Sequence, residues 1–149
     1  MLIRLTATLS VLLLLTTAGC GGPFILLPGG RLEGEIAPAP GDWASTDEIS
    51  TVQLETRPDD PYSVNIWAVG IGPRAYVHAG TNRSNWVEHI EADARVRLRV
   101  QDQIYELNAS RVEDQEEFDR FSDAYEKKYG RRPRNEDVKQ AYLFRLEAP

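Results

Sequence analysis

Residues 94–112, ARVRLRVQDQIYELNASRV, carry the pattern that decides the fold of this chain. Apolar side chains alternate with arginines from Ala94 to Val100, which is the period of a strand with one buried face. The chain then turns and returns from Ile104 to Val112, so the stretch predicts an antiparallel hairpin. Glu106 would lie opposite the arginine row, where opposite charges contribute about 0.2–1 kcal/mol. We therefore expect a solvated sheet face rather than an anion site at the row formed by Arg95, Arg97 and Arg99.

Further strands are predicted on both sides of this hairpin. Three precede it, at residues 49–57, 62–71 and 74–79, and one follows it at 143–147. The cluster Pro58-Asp59-Asp60-Pro61 separates the first two and is typical of a turn. Because hairpin connections predominate, we expect an antiparallel sheet that curls into a barrel.

Helices are predicted at three places between and after these strands. The first spans residues 85–92 and begins with Asn85 as its cap. The strongest spans 113–129, with acidic residues at its start, lysines at its end and Gly130 as its stop signal. Its apolar face has helical spacing and consists of Phe118, Phe121, Tyr125 and Tyr129. A short third helix is expected from Asn135 to Tyr142, which completes an α+β fold with helices packed against the barrel.

The N-terminus has the order of an export signal. Arg4 precedes an apolar stretch of 14 residues, Leu5 to Ala18, which is shorter than the roughly 20 residues of a membrane-spanning helix. The following tetrapeptide Thr17-Ala18-Gly19-Cys20 resembles the bacterial lipobox. The resemblance implies that residues 1–19 are a lipoprotein signal peptide and that Cys20, the only cysteine, carries palmitate-type acyl chains.

Lipidation at Cys20 would tether the mature protein to a membrane on the exported side of the cell. Gly21, rather than Asp, follows Cys20, so in a cell with two membranes we expect the periplasmic face of the outer membrane. Residues 20–42 are rich in Gly and Pro and are interpreted as a tether. Within them, Leu32 to Ile36 alternates like a short strand, and Phe24 to Leu27 either packs on the domain or lies against the membrane. The folded domain is expected at residues 43–149.

Charge limits the partners of this domain. The chain has 17 Lys and Arg against 23 Asp and Glu, a net charge of −6. Nucleic acid is a poor candidate partner because phosphate attraction requires a basic face. A second cluster of positive charge lies at Lys127, Lys128, Arg131, Arg132 and Arg134, and we interpret it as structural. The two histidines, His78 and His89, do not have the spacing of a metal site, so no metal is expected.

Several strings of the domain resemble the split β-barrel superfamily of flavin and deazaflavin oxidoreductases, which includes the pyridoxamine-phosphate-oxidase-like proteins. The resemblance extends from Arg57 to about Leu146, and its best parts are Trp86–Leu98, Tyr105–Ala109 and Leu143–Leu146. It implies an antiparallel split β-barrel and allows a flavin or deazaflavin cofactor or a homodimer. The deazaflavin branch usually has a Gly-Arg-Lys-Ser-Gly-like turn between its first two strands. Here residues 57–61 place two aspartates there, which would repel a phosphate.

One loop has the features of an anion site. The start of the first helix offers free N–H groups, and an arginine and a hydroxyl lie next to it. In the resembling families this loop lies near the cofactor phosphate. The candidate cofactor-binding or anion-binding residues are therefore Asn82, Arg83, Ser84, Asn85 and Trp86. The alternative is a plain helix cap with one solvated arginine.

Two functions follow from these observations. The first is a membrane-anchored lipoprotein that binds a ligand or serves as a scaffold, with a redox-inactive barrel. The second is a flavin-dependent or deazaflavin-dependent oxidoreductase of unspecified substrate. Serine-nucleophile motifs such as G-x-S-x-G do not occur in the sequence, so hydrolase chemistry has no support. The sequence leaves open whether the protein is an enzyme.

Overall fold

A computed structural model describes residues 22–23 and 25–149. The predicted signal peptide and the predicted lipidation site Cys20 lie outside the described residues. The strands are β1 Glu35–Ala37, β2 Val52–Thr56, β3 Tyr62–Ile66, β4 Ala68–Ile71, β5 Arg74–His78, β6 Arg95–Val100, β7 Gln103–Arg111 and β8 Leu143–Glu147. The helices are α1 Asn85–Ala92 and α2 Gln115–Tyr129, with one 3₁₀ turn at Ala44–Thr46.

The predicted hairpin, β6 and β7, lies at the centre of the sheet. The strand order is β3-β2-β6-β7-β8-β5-β4, and every pair along this path is antiparallel. The strands at the two ends of the path, β3 and β4, are joined in the chain by Trp67 alone. The sheet therefore curls back on itself, which confirms the predicted α+β antiparallel split barrel with packed helices.

The break at Trp67 corrects one prediction. The alternating pattern of residues 62–71 predicted a single strand, but its first half pairs with β2 and its second half with β5. Just beyond the break, Gly70 lies directly against the backbone of Trp43, where a Cβ atom would come 2.4 Å from the Trp43 carbonyl oxygen. Only glycine fits this close approach.

Two apolar clusters hold the barrel and its helices. The first fills the barrel and includes Leu54, Val77, Leu98 and Phe144, and α1 packs Trp86 against it. The second lies between α2 and the outer side of the sheet, and its members include Val69, Tyr76, Phe118, Phe121 and Tyr125. The predicted aromatic face of α2 is thus buried, except that Tyr129 lies partly exposed at its end and stacks on Trp67 at a centroid distance of 4.5 Å.

The helix ends confirm two predictions and correct two. α1 spans the predicted residues 85–92, and Gly130 ends α2 in the left-handed conformation with φ 72°. The cap of α1, however, is Ser84 rather than Asn85, and its side chain makes no capping hydrogen bond. The predicted third helix at 135–142 is wrong. In its place Asn135 and Asp137 accept hydrogen bonds from backbone N–H groups two residues ahead, which favours turns over a helix.

Residues 25–37, which we call the strap, cross the outer face of the sheet. Gly29 exchanges two backbone hydrogen bonds with Ser63 of β3, each 2.9 Å long. Leu32 is 1 % exposed and lies over β2 and β6, and Glu35 to Ala37 pair in parallel with β7. The expected strand therefore forms three residues later than its predicted start, and part of the predicted tether is packed on the domain.

The strap also corrects the prediction for the arginine row. Arg97 is 14 % exposed rather than solvated, because it binds the buried carboxylate of Glu55 and the Leu32 carbonyl oxygen, each at 3.2 Å. The Leu32 N–H donates to the same carboxylate. Arg95 remains 60 % exposed, as predicted, and Glu106 lies opposite Arg97 in the register.

Candidate functional site

A cleft of about 400 Å³ lies between the end of β5 and the loop that follows α2. One wall is the segment from His78 to Asn82, which leaves the sheet through Gly80 in a left-handed turn with φ 65°. The other wall is residues 131–135, which leave α2 through Gly130. Tyr125 of α2 completes the lining. A glycine thus turns the chain sharply in the middle of the first wall and directly before the second, and together the walls enclose a small concave surface.

The loop after α2 brings three arginines to this cleft. Arg132 is neutralised, because it forms ion pairs with Asp123, Glu126 and Glu136. Arg131 places its guanidinium carbon 4.8 Å from the centroid of the Trp67 ring. Guanidinium groups bind carboxylates and phosphates through two parallel hydrogen bonds, which makes arginine the usual side chain for recognising such anions.

Two of the three cleft arginines keep their positive charge uncompensated. Within the part of the chain that the structure describes, neither Arg131 nor Arg134 forms an ion pair with a carboxylate. Both side chains are exposed, so their positive charge is available to a ligand from solvent. The cleft is therefore a local exception to the negative charge of the domain.

His78 lies at the base of the cleft among aromatic rings. Its ring centroid is 5.6 Å from that of Phe121 and 6.2 Å from that of Tyr125. Burial lowers the pKa of His78 to about 4, so the imidazole is neutral at pH 7. Its Nε2 atom is buried and makes no hydrogen bond to any described residue. A neutral imidazole with this pKa is a weak base, so the arrangement suits binding better than proton abstraction.

Tyr125 supplies a phenol to the same surface. Burial raises its pKa, and the positive charge of Arg131 opposes that rise. The hydroxyl is therefore protonated at pH 7 and offers a hydrogen-bond donor. The described lining residues thus include two cations and a phenol, which can bind an anionic oxygen ligand, and a neutral imidazole whose Nε2 atom is buried.

The structure does not bring the five predicted site residues together. Asn82 is exposed and lines the cleft. Arg83 instead turns towards α1, where it forms ion pairs with Glu91 and Glu88. The other three have local roles: Ser84 precedes α1, Asn85 is its exposed first residue, and Trp86 is buried against Phe144. The predicted loop thus contributes one residue to the cleft, and the charge of Arg83 is compensated.

The cleft arginines were interpreted from the sequence as structural, and His78 was considered only as a metal ligand. The available signal was Gly130 followed by Arg131, Arg132, Pro133 and Arg134, a basic run placed directly after a helix end. What the sequence could not supply was the contact between this run and the end of β5, because the two segments lie about fifty residues apart in the chain.

A second groove, of about 490 Å³, lies beside the strap on the outer face of the sheet. Both of its arginines form ion pairs: Arg97 binds Glu55, which also lines the groove, and Arg95 binds Asp93 and Asp59, which lie outside it. The second groove is larger than the cleft, but both of its arginines are already paired with carboxylates, so it is the weaker candidate for binding an anion. The turn predicted to repel a phosphate lies at its edge, and there Asp60 pairs with Arg57.

Among residues 22–23 and 25–149, no group of three or more His, Cys, Asp or Glu side chains is arranged to hold a metal ion. The same residues contain no helix that is long and apolar enough to cross a membrane.

Solved structures share the fold at low sequence identity. A candidate pyridoxamine 5′-phosphate oxidase from Listeria innocua has a TM-score of 0.54 and 16% identity, over 69% of this chain and 86% of that one. A candidate 5-nitroimidazole antibiotic resistance protein from Bacteroides thetaiotaomicron has a TM-score of 0.54 and 13% identity, over 67% and 73%. A conserved hypothetical protein from Mycobacterium tuberculosis has a TM-score of 0.56 and 19% identity, over 69% and 75%. These neighbours support the pyridoxamine-phosphate-oxidase-like split-barrel fold.

No curated protein is significantly similar to this chain. One family model does match it, over residues 43–142, and that family is described as "Uncharacterized protein conserved in bacteria (DUF2255)". The matched residues include the whole barrel except β1 and β8, together with both helices and both walls of the cleft. Because the match covers more than half of the chain, the protein belongs to the DUF2255 family.

Proposed function

We propose that the protein is an exported lipoprotein whose split-barrel domain binds a small anionic molecule in the cleft. The single observation that carries the binding proposal is the pair of guanidinium side chains, Arg131 and Arg134, that line one cleft with His78 and form no ion pair with a carboxylate among the described residues. The proposal for anchoring rests on the signal-like N-terminus and on Cys20 as the only cysteine.

The cleft favours a ligand with a phosphate or carboxylate group. Each guanidinium can donate two parallel hydrogen bonds to such a group, and each charge-assisted bond is worth about 1.5–3 kcal/mol. The protonated phenol of Tyr125 and the amide of Asn82 can add neutral hydrogen bonds. A volume of about 400 Å³ lies within the usual range for small-molecule pockets, which is roughly 300–1,000 Å³. The neutral state of His78 favours simple binding over acid–base chemistry.

The cleft fits only part of a flavin. A flavin nucleotide carries a phosphate and a planar three-ring system, and the two arginines suit the phosphate. Apart from the imidazole of His78, Tyr125 is the one aromatic residue among the described lining residues, so these residues lack a second Phe, Tyr or Trp ring to cover the three-ring system. The turn at residues 57–61 offers no better phosphate site, since Arg57 is paired with Asp60. We therefore derive no reaction through a flavin.

The alternative function is a flavin-dependent or deazaflavin-dependent oxidoreductase. It is favoured by the shared fold with the Listeria innocua candidate oxidase. The visible absorption spectrum of protein purified from its native host separates the two functions. A bound yellow chromophore would decide for the oxidoreductase. A colourless protein that also fails to bind added flavin or deazaflavin would decide against it.

Calorimetric titration with inorganic phosphate and with pyrophosphate tests the binding proposal. We expect the double variant Arg131→Ala/Arg134→Ala to lose about two to four decades of affinity, the equivalent of one lost charge-assisted hydrogen bond for each arginine. Arg120→Ala is the matched control, because Arg120 is exposed on α2 and is paired with Glu116. Equal affinities for the double variant and the control would contradict the proposed site, as would tight binding that Arg83→Ala alone abolishes.

Membrane fractionation and intact mass test the proposed anchoring. The native protein should carry the added mass of acyl chains on Cys20 and should fractionate with membranes. Stable anchoring requires two lipid signals, because one acyl chain alone binds only marginally. Cys20→Ser should release or mislocalise the protein, and unchanged membrane association of this variant would contradict lipidation at Cys20.

A further inference from the structure

The strap begins with an apolar turn that is exposed to solvent. Ile25, Leu26 and Leu27, which we call the apolar turn, are 69 %, 93 % and 66 % exposed. The sequence left open whether Phe24 to Leu27 pack on the domain or lie against the membrane. Phe24 lies outside the described residues, and the apolar turn itself does not pack on the domain. Contiguous exposed apolar side chains of this kind mark interaction surfaces in soluble domains.

The backbone of the apolar turn is held in place by polar contacts. The Asn65 side chain donates a hydrogen bond of 2.9 Å to the carbonyl oxygen of Ile25. At the end of the loop, Gly29 is bonded to Ser63 and lies so close to the backbone of Gly22 that a Cβ atom would come within 2.3 Å of it. Ile25 has φ 51°, a conformation that β-branched residues rarely adopt. The apolar side chains of residues 25–27 are therefore exposed on a loop whose backbone is held against the domain.

The residues that precede the apolar turn determine what can cover its exposed side chains. Gly22 lies against the side chains of Gln53 and Leu32, so it is docked on the domain. Only Gly21 separates Gly22 from Cys20. Two residues of fully extended chain span about 7 Å at most. Acyl chains on Cys20 would therefore hold this edge of the domain, with the apolar turn next to it, at the membrane surface.

We propose that the apolar turn inserts into the lipid bilayer beside the acylated Cys20 and fixes the orientation of the domain on the membrane. The proposal rests on the lipidation given above as part of the proposed function. Apolar contact rather than charge drives the insertion, because the exposed charges that follow on the strap are of both signs, Arg31 against Glu33 and Glu35. The bilayer interface accepts leucine and isoleucine side chains at a depth of about 5–10 Å.

An environment-sensitive label tests the insertion in the full-length protein. When Cys20 is acylated, Leu26→Cys provides the only free thiol and can be labelled with a nitrobenzoxadiazole fluorophore. The labelled protein is reconstituted into phosphatidylethanolamine–phosphatidylglycerol vesicles with or without lipids that carry a spin label on their acyl chains. The matched control is Glu116→Cys, because Glu116 is exposed on α2 with 84% of its side chain accessible.

We expect the label at position 26 to emit at shorter wavelength than the label at position 116 and to be quenched severalfold more strongly by the spin-labelled lipid. Equal emission and equal quenching at the two positions would overturn the insertion. A blue shift at position 26 without lipid quenching would also overturn it, and would indicate a second copy or another protein as the occupant.

The intact mass of the same samples keeps this test separate from the test of anchoring. An acylated protein whose position 26 is not quenched contradicts insertion alone. An unacylated protein contradicts the anchoring. Cys20 would then be a second free thiol in Leu26→Cys, so the label is placed on Cys20→Ser/Leu26→Cys, in which position 26 has the only cysteine. Quenching in that double variant would support insertion without an anchor, and its absence would overturn insertion as well.

Discussion

The buried ion pair between Arg97 and Glu55 gives the sharpest prediction for stability. Glu55 is 1 % exposed, and its carboxylate receives two hydrogen bonds of 3.2 Å from Arg97 and a third from the Leu32 N–H. Arg31 lies 3.7 Å away but is 56 % exposed. Arg97→Met removes the main counter-charge and leaves a buried carboxylate, and breaking such a pair costs about 3–5 kcal/mol. Because Arg31 can compensate in part, we expect about 3 kcal/mol.

Chemical denaturation at pH 7 measures this loss, and two further variants control it. Arg95→Met changes the same strand and the same face, but Arg95 is 60 % exposed, so we expect less than about 1 kcal/mol. Glu55→Gln/Arg97→Met should cost less than Arg97→Met alone, because no charge is then left buried. Trypsin should cut faster after Arg31 in Arg97→Met, since Arg97 also holds the Leu32 carbonyl oxygen. If Arg97→Met is no less stable than Arg95→Met, the account of how the strap is held is wrong.

Three further predictions concern single residues. Since the pKa of His78 is lowered to about 4, the folded protein should lose about 3 kcal/mol as pH falls from 6.5 to 4, and unfolding curves of His78→Phe should lack this loss. Burial raises the pKa of Glu117, but hydrogen bonds from Tyr76 and Arg145 outweigh this effect and lower it. Glu117→Gln should therefore be less stable at pH 7 and lose less stability below about pH 4.5, as measured by thermal unfolding at each pH. Gly70→Ala should cost about 1–3 kcal/mol by urea denaturation, because its Cβ would meet the Trp43 carbonyl; an unchanged midpoint would contradict that contact.

The strands and helices that the sequence predicted well are those whose periodicity and end signals all lie within the element itself. The alternation from Ala94 to Val100 specifies a strand with one buried face, and the observed β6 begins one residue later. The helix predicted at 113–129 combines an aromatic stripe, an acidic start and a glycine stop. The observed α2 begins two residues later, and its cap Asp114 accepts a hydrogen bond from the Glu117 N–H. In both cases local periodicity and capping agree with the global fold.

The predictions that failed depended on contacts between distant segments. The alternation of residues 62–71 continues through Trp67, so it contains no sign that the chain changes partner strands there. Arg97 was predicted to be solvated because the strap that covers it lies about sixty residues away in the chain. The cleft was missed for the same reason: Arg131 and His78 line one cleft only because the end of β5 lies near the loop after α2.

Arginine side-chain NMR tests the central claim, anion binding in the cleft, most directly. In a ¹⁵N-edited spectrum the Nε–Hε signals of Arg131 and Arg134 can be assigned by substituting each with lysine. We predict that inorganic phosphate shifts these two signals in a saturable way and leaves the signal of Arg120, which is paired with Glu116, unchanged. Saturable shifts at Arg83 instead, or no saturable shift at Arg131 and Arg134, would contradict anion binding in the cleft.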